Sequence, residues 1–202
     1  MKLFPGQLLS HCWQQEIAPL YQGGMISGKE DLIAAIYHFI RSEVDYGYWP
    51  WLSPELHFSK RDQPLHIWLE DYMVQNKVGH YKPDILISCE GEIIAALMIA
   101  FSPTDYLDYR KSMEFLSAIS RLAGRAYLHL NILPDKGGKD PSTLYLISEE
   151  IRLVYAVIGK KGAFALDTAA IKKEFPLLYA PTYFLHLTAS IQDQKVTFNA
   201  KD

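Results

Sequence analysis

Few side chains in this sequence stand where they could do chemistry, and the most suggestive is a carboxylate. Asp84 follows Pro83 directly and precedes the apolar run Ile85-Leu86-Ile87. An acid at that point, where a strand begins, can cap a turn or accept from neighbouring backbone N–H groups. A second carboxylate, Glu30, lies three residues after Ser27. That is the spacing of a capping box, in which two side chains satisfy each other's backbone donors at a helix start. A third group is aromatic: Tyr48, Trp49 and Trp51 stand among Gly47, Pro50 and Pro54. Exposed on a loop, they would stack bases or anchor a partner; turned inward, they would cover the core.

Other candidates are thinner. The seven histidines (His11, His38, His57, His66, His80, His129 and His186) show no metal-ligand spacing. Cys12 and Cys89 lie far apart and read as two reduced thiols. Gly137-Gly138 between Lys136 and Lys139, and the turn Lys160-Lys161-Gly162, read as polar loops rather than phosphate cradles.

The elements that must position these groups follow from periodicity. Helical structure is expected around residues 9–21, broken at Gly23-Gly24. Leu32, Ile33, Ile36, Tyr37, Phe39 and Ile40 recur at helical spacing and predict a helix over residues 28–43. Strands are expected at 64–74, 84–89 and 93–101, the last two joined by a turn at Glu90-Gly91-Glu92. A helix over 105–123 ends at Gly124, and a strand follows at 125–133. Beyond a polar loop come apolar segments at 143–147 and 153–158, a short helix at 168–175, and a hairpin of 183–191 with 195–199.

The hairpin phrase carries a resemblance. Pro83-Asp84-Ile85-Leu86-Ile87, a turn, then Ile93-Ile94-Ala95-Ala96-Leu97-Met98-Ile99-Ala100-Phe101-Ser102-Pro103 resembles the core of the PD-(D/E)XK nuclease superfamily, the restriction-endonuclease-like fold. In that superfamily a Pro-Asp opens one strand, and an acid-any-lysine triplet sits on the next. Here Met98 stands in the acid position and Ala100 in the lysine position. The resemblance covers residues 27–133, about half the chain. It implies an α/β protein with an αβββαβ core, a mixed central sheet flanked by helices. Additional C-terminal strands in residues 142–202 would form an extension of unknown role.

Metal-dependent phosphodiester cleavage needs two or three hard carboxylates around Mg²⁺ and a lysine near the attacking water. A thioether is a soft, poor ligand for Mg²⁺, and an alanine positions nothing. Groups could have moved: Glu30 would be the acid of the first helix, and Glu70 a displaced strand acid. Lys111, three residues after Asp108, would be a displaced lysine; Glu70 and Lys111 also read as ordinary surface residues, and Glu30 as the acid of the capping box. The resemblance therefore implies a catalytically inactive nuclease-like protein. It would act by binding a protein partner, itself as a homodimer, or nucleic acid, with no cofactor expected. The alternative is an active Mg²⁺-dependent DNA nuclease with Asp84 and Glu30 on the metal and Lys111 as the cation. A third reading is an unrelated α/β protein whose hairpin mimics the motif.

Bulk properties bound these readings. The 202 residues suit one domain, 49% are apolar, and the composition is that of a globular protein. The net charge of −3 gives no global attraction to nucleic acid. Pro5 and Gly6 interrupt any signal-peptide run, and the longest apolar stretch, Ile93 to Phe101, is too short to span a bilayer. A soluble, cytoplasmic protein is the expectation.

Overall fold

The computed structural model describes residues 6–46, 65–69, 83–89, 91–102, 106–131, 142–160, 171, 173–179, 183–192 and 195–201. The chain opens with a helical stretch in three parts: α1 (Gly6–His11), a π-helical section (Cys12–Ile17) and α2 (Ala18–Gln22). Leu8, Leu9, Cys12, Trp13 and Ile17 are buried along it. The wider π turn brings Trp13 inward, where its indole Nε1 donates to the Thr188 carbonyl at 3.1 Å. Gly24 closes the stretch in the left-handed region at φ 74°, a conformation that favours glycine.

Helix α3 (Lys29–Tyr46) follows. Leu32, Ile36 and Ile40 lie four residues apart and are fully buried, so they form a single stripe against the sheet. Each contributes on the order of 2 kcal/mol by leaving water. The cap differs from the sequence expectation. The first intrahelical bond runs from Leu32 N–H to the Gly28 carbonyl, so the helix starts one residue later than the Ser27–Glu30 pairing requires. Asp31, not Glu30, accordingly accepts from the Ser27 amide at 2.9 Å and from its hydroxyl at 2.7 Å.

The strands are β1 (Leu65–Leu69), β2 (Ile85–Cys89), β3 (Glu92–Phe101), β4 (Tyr127–Asn131), β5 (Ser142–Lys160), β6 (Tyr183–Gln192) and β7 (Lys195–Lys201). They form one mixed sheet in the order β1-β2-β3-β5-β6-β7, with β4 paired to β5 beside that path. β1, β2 and β3 form an antiparallel meander. β3, β5 and β6 run parallel in the centre, and β7 closes the far edge antiparallel to β6. Helix α4 (Tyr106–Leu122) connects β3 to the next strands and stops at Gly124, φ 68°.

The sheet has a hydrophobic cluster on each face. One joins the N-terminal helical stretch and α3 to Ile85, Ile87, Leu97, Ile99, Val154 and Leu185. The other joins α4, Ile171, Phe175 and Leu178 to Leu86, Ile93, Leu153, Tyr155 and Phe184. The molecule is thus a mixed α/β sheet flanked by helices. Among the described residues, no helix is long and apolar enough to cross a membrane.

Two expectations need correction. The strand at 125–133 does not lie beside β3; β4 pairs with residues 142–146 of β5, and β3 runs parallel to β5 along residues 146–147 and 152–158. The reason is burial. Residues 151–159 of β5 are all buried, as a strand covered on both faces must be, whereas Tyr127 at the start of β4 is 58% exposed. The segments at 143–147 and 153–158 are also one strand. The polar run Ser148-Glu149-Glu150 interrupts the apolar pattern where the β3–β5 register shifts, but it does not end the strand.

Candidate functional site

β2 is shorter than its neighbour, and that difference builds the site. The register pairs Ile85 with Leu97, and the Asp84 amide still donates to the Leu97 carbonyl at 2.9 Å. Two residues further along β3, the Ile99 N–H meets the place where β2 has ended. The Asp84 side chain takes over as acceptor there: Oδ2 receives the Ile99 N–H at 2.5 Å. A buried backbone donor needs a partner, and a carboxylate one residue before the strand supplies it.

The other oxygen faces a cation. Asp84 Oδ1 lies 2.6 Å from Lys29 Nζ. The carboxylate is 2% exposed and the lysine side chain 40% exposed, so the pair stands at the rim with its anion inside and its cation reaching out. Lys29 is the first residue of α3. The contact ties α3 to the point where β2 begins.

The residues singled out in the sequence fall in different places. Glu30 is exposed, and its Oε2 lies beside Gly28 rather than beside Asp84. Lys111 is exposed on α4, whose buried side packs into the opposite cluster. Among the described residues neither touches Asp84. Met98 and Ala100 are half-buried and pack against the α4-side cluster. Across the sheet Met98 pairs with Tyr155, which pairs with His186, so the position of the missing acid lies in a row of large side chains. Tyr155 and His186 are buried, and their rings stand 5.7 Å apart. Tyr48, Trp49, Trp51 and Glu70 lie outside the described residues.

The structure adds Lys29, which sequence reasoning passed over as part of the helix start. A signal was present. A lysine at the first helical position sits against the positive end of the helix, where carboxylates are favoured. An anion in front of it resolves that conflict, and Asp84 is that anion.

The arrangement can neutralise a buried charge and lock two elements together. As donors, Asp84 offers oxygens already engaged by an ammonium and an amide. Among the described residues no three carboxylate, imidazole or thiol side chains gather to hold a metal ion. Cys12, in the same α3-side cluster, has its thiol pKa pushed far up by burial, with Glu16 and Glu43 adding to the rise. It is therefore held as a neutral thiol, unlike a reactive cysteine. In comparison with known proteins, the chain matches no family model, no curated protein and no solved structure.

Proposed function

We propose that this chain is a catalytically inactive protein of restriction-endonuclease-like architecture that acts by binding. The observation carrying the reading is the Asp84 carboxylate. It is buried, and its two oxygens are already engaged by Lys29 Nζ and the Ile99 amide. The Met98 and Ala100 side of β3 supports the same reading, because it is apolar and packed against the α4 cluster. The order of elements adds partial support: helix α3, an antiparallel meander and helix α4, followed by β4 and then by β5, which runs parallel to the third strand. A fold alone does not fix an activity, so the functional part rests on the carboxylate.

The second reading, an active Mg²⁺-dependent nuclease, gains one point from the same contact, since Lys29 rather than Lys111 would then be the displaced lysine. The test is incubation of the purified chain with single- and double-stranded DNA in Mg²⁺ and in Mn²⁺. No cleavage above the Asp84→Asn background is expected. Cleavage abolished by Asp84→Asn and by Lys29→Met would establish the nuclease instead. Light scattering and DNA-binding titrations on the same material separate self-association from nucleic-acid binding; the net charge of −3 favours a protein partner or a second copy.

A further inference from the structure

The N-terminal helical stretch buries a pattern that a straight α-helix cannot bury. Counted from Leu8 at about 100° per residue, Cys12, Leu9 and Trp13 fall at about 40°, 100° and 140°, a single apolar face. On the same count Glu16 would stand at about 80°, the middle of that face, and Ala18 at about 280°, outside it. The structure shows the reverse: Glu16 is exposed, Ile17 is fully buried and Ala18 is buried. From Glu16 onward the burial lags by one residue. Two residues, Ser10 and His11, separate the buried pair Leu8-Leu9 from Cys12-Trp13; three exposed ones, Gln14, Gln15 and Glu16, separate that pair from Ile17-Ala18.

The lag begins where the helix widens. In the π-helical section Cys12–Ile17 the hydrogen bonds span five residues instead of four, so one extra residue fits into a turn. The backbone stays right-handed and helical on both flanks, with His11 at φ −63°, ψ −50° and Ala18 at φ −59°, ψ −49°. Both flanks are also seated on the sheet. Trp13 donates to the Thr188 carbonyl at 3.1 Å, and its ring centroid lies 5.4 Å from that of Phe198. The Tyr21 ring lies 6.2 Å from Phe101 and 6.2 Å from Phe198.

We propose that the π section is a phase-correcting device: one residue between Trp13 and Glu16 is surplus to the fold, and the helix widens to absorb it because both ends are pinned. Without that residue the α-helical count places Ile17 at about 80°, Tyr21 at about 120° and Ala18 at about 180°, on or beside the apolar face, and moves Glu16 off it to about 340°. The section is therefore the point at which the stretch can shorten by one residue without unseating Trp13 or Tyr21. The proposal is independent of the reading at Asp84.

The test is deletion of Gln15 from the full chain, read by the urea midpoint and by the Trp13 indole Nε1–H resonance in NMR. The variant should fold, keep that resonance in place and have a midpoint equal to or above the parent's. Deletion of Ala34, exposed on α3, is the control for a helix with no surplus residue; it should lower the midpoint or prevent folding, because it puts Leu32 out of phase with Ile36 and Ile40. Failure of the Gln15 deletion to fold, a midpoint below the parent's, a displaced Trp13 resonance, or an Ala34 deletion as stable as the parent would overturn the proposal.

Discussion

On the α3 side of β3, Ala95, Leu97 and Ile99 are closed over by Leu32, Ile36 and Ile40, and the charged contact Lys29–Asp84 stands at the rim. On the α4 side, Met98 and Ala100 pack among the aromatic and aliphatic side chains of the second cluster. One strand thus presents two apolar faces, with an ion pair where its neighbour begins. The difference shows where this protein can afford a buried charge. A carboxylate survives inside because a lysine with access to water and a backbone amide meet it together. At Met98 and Ala100 no such pair of partners lies among the described residues, and the positions are apolar.

The sharpest way to break this comparison is at Lys29. Lys29→Ala strands a buried carboxylate, which should cost about 3 kcal/mol of unfolding free energy in urea titrations. Asp84→Ala releases the lysine to water and leaves the Ile99 amide unsatisfied, so its cost should be smaller, about 1–2 kcal/mol. The double variant should fall near the Asp84→Ala value. If Asp84→Ala proved the costlier of the two, the carboxylate would be reached by water and the rim would be an open site.

Met98→Glu probes the other face. A carboxylate there enters the α4-side cluster without a described cationic partner, at a cost of about 1–3 kcal/mol. A neutral or stabilising result in the same titrations would mean that this side of β3 is wet. Cys12 tests closure on the α3 side. Buried and held neutral, it should resist alkylation by iodoacetamide at pH 8 until the chain is unfolded, as read by mass spectrometry.

The smallest effect expected is at the helix start. The Ser27 hydroxyl, followed by its amide, holds the Asp31 carboxyl below its ordinary value of 3.8. A depressed carboxyl contributes stability that is present above its unfolded pKa and is lost as pH falls through its folded one. The loss on replacing Ser27 by Ala should therefore be measurable at neutral pH and vanish in strongly acidic solution. Thermal unfolding of both proteins across that range reads the difference. The exposure of Asp31 and its screening by salt keep the effect slight.

Much of the scaffold was legible in the sequence. The rows Leu32, Ile36, Ile40 and Met113, Leu116, Ile119 announced α3 and α4 because apolar positions at helical spacing have one way to leave water together. The β2–β3 and β6–β7 hairpins were readable for the same local reason, with turns separating apolar runs. The candidate site was legible only in Asp84 itself. Glu30 and Lys111 were plausible by residue type and spacing, yet they point away because a helix has several faces and a spacing argument does not choose among them.

What the sequence determined by itself was therefore local: which segments form helices, which form hairpins, and that positions 98 and 100 lack a hard donor. What only the tertiary structure decided was long-range. β5, distant in the chain, slides in beside β3 and displaces β4 from that place, because only a strand apolar on both faces can be buried on both. Lys29 meets Asp84 across 55 positions of sequence because the tertiary fold brings the start of α3 to the residue that precedes β2. Periodicity reports what a segment buries; it carries no record of which distant charge will lie opposite, since that pairing is fixed by how helices and sheet pack together.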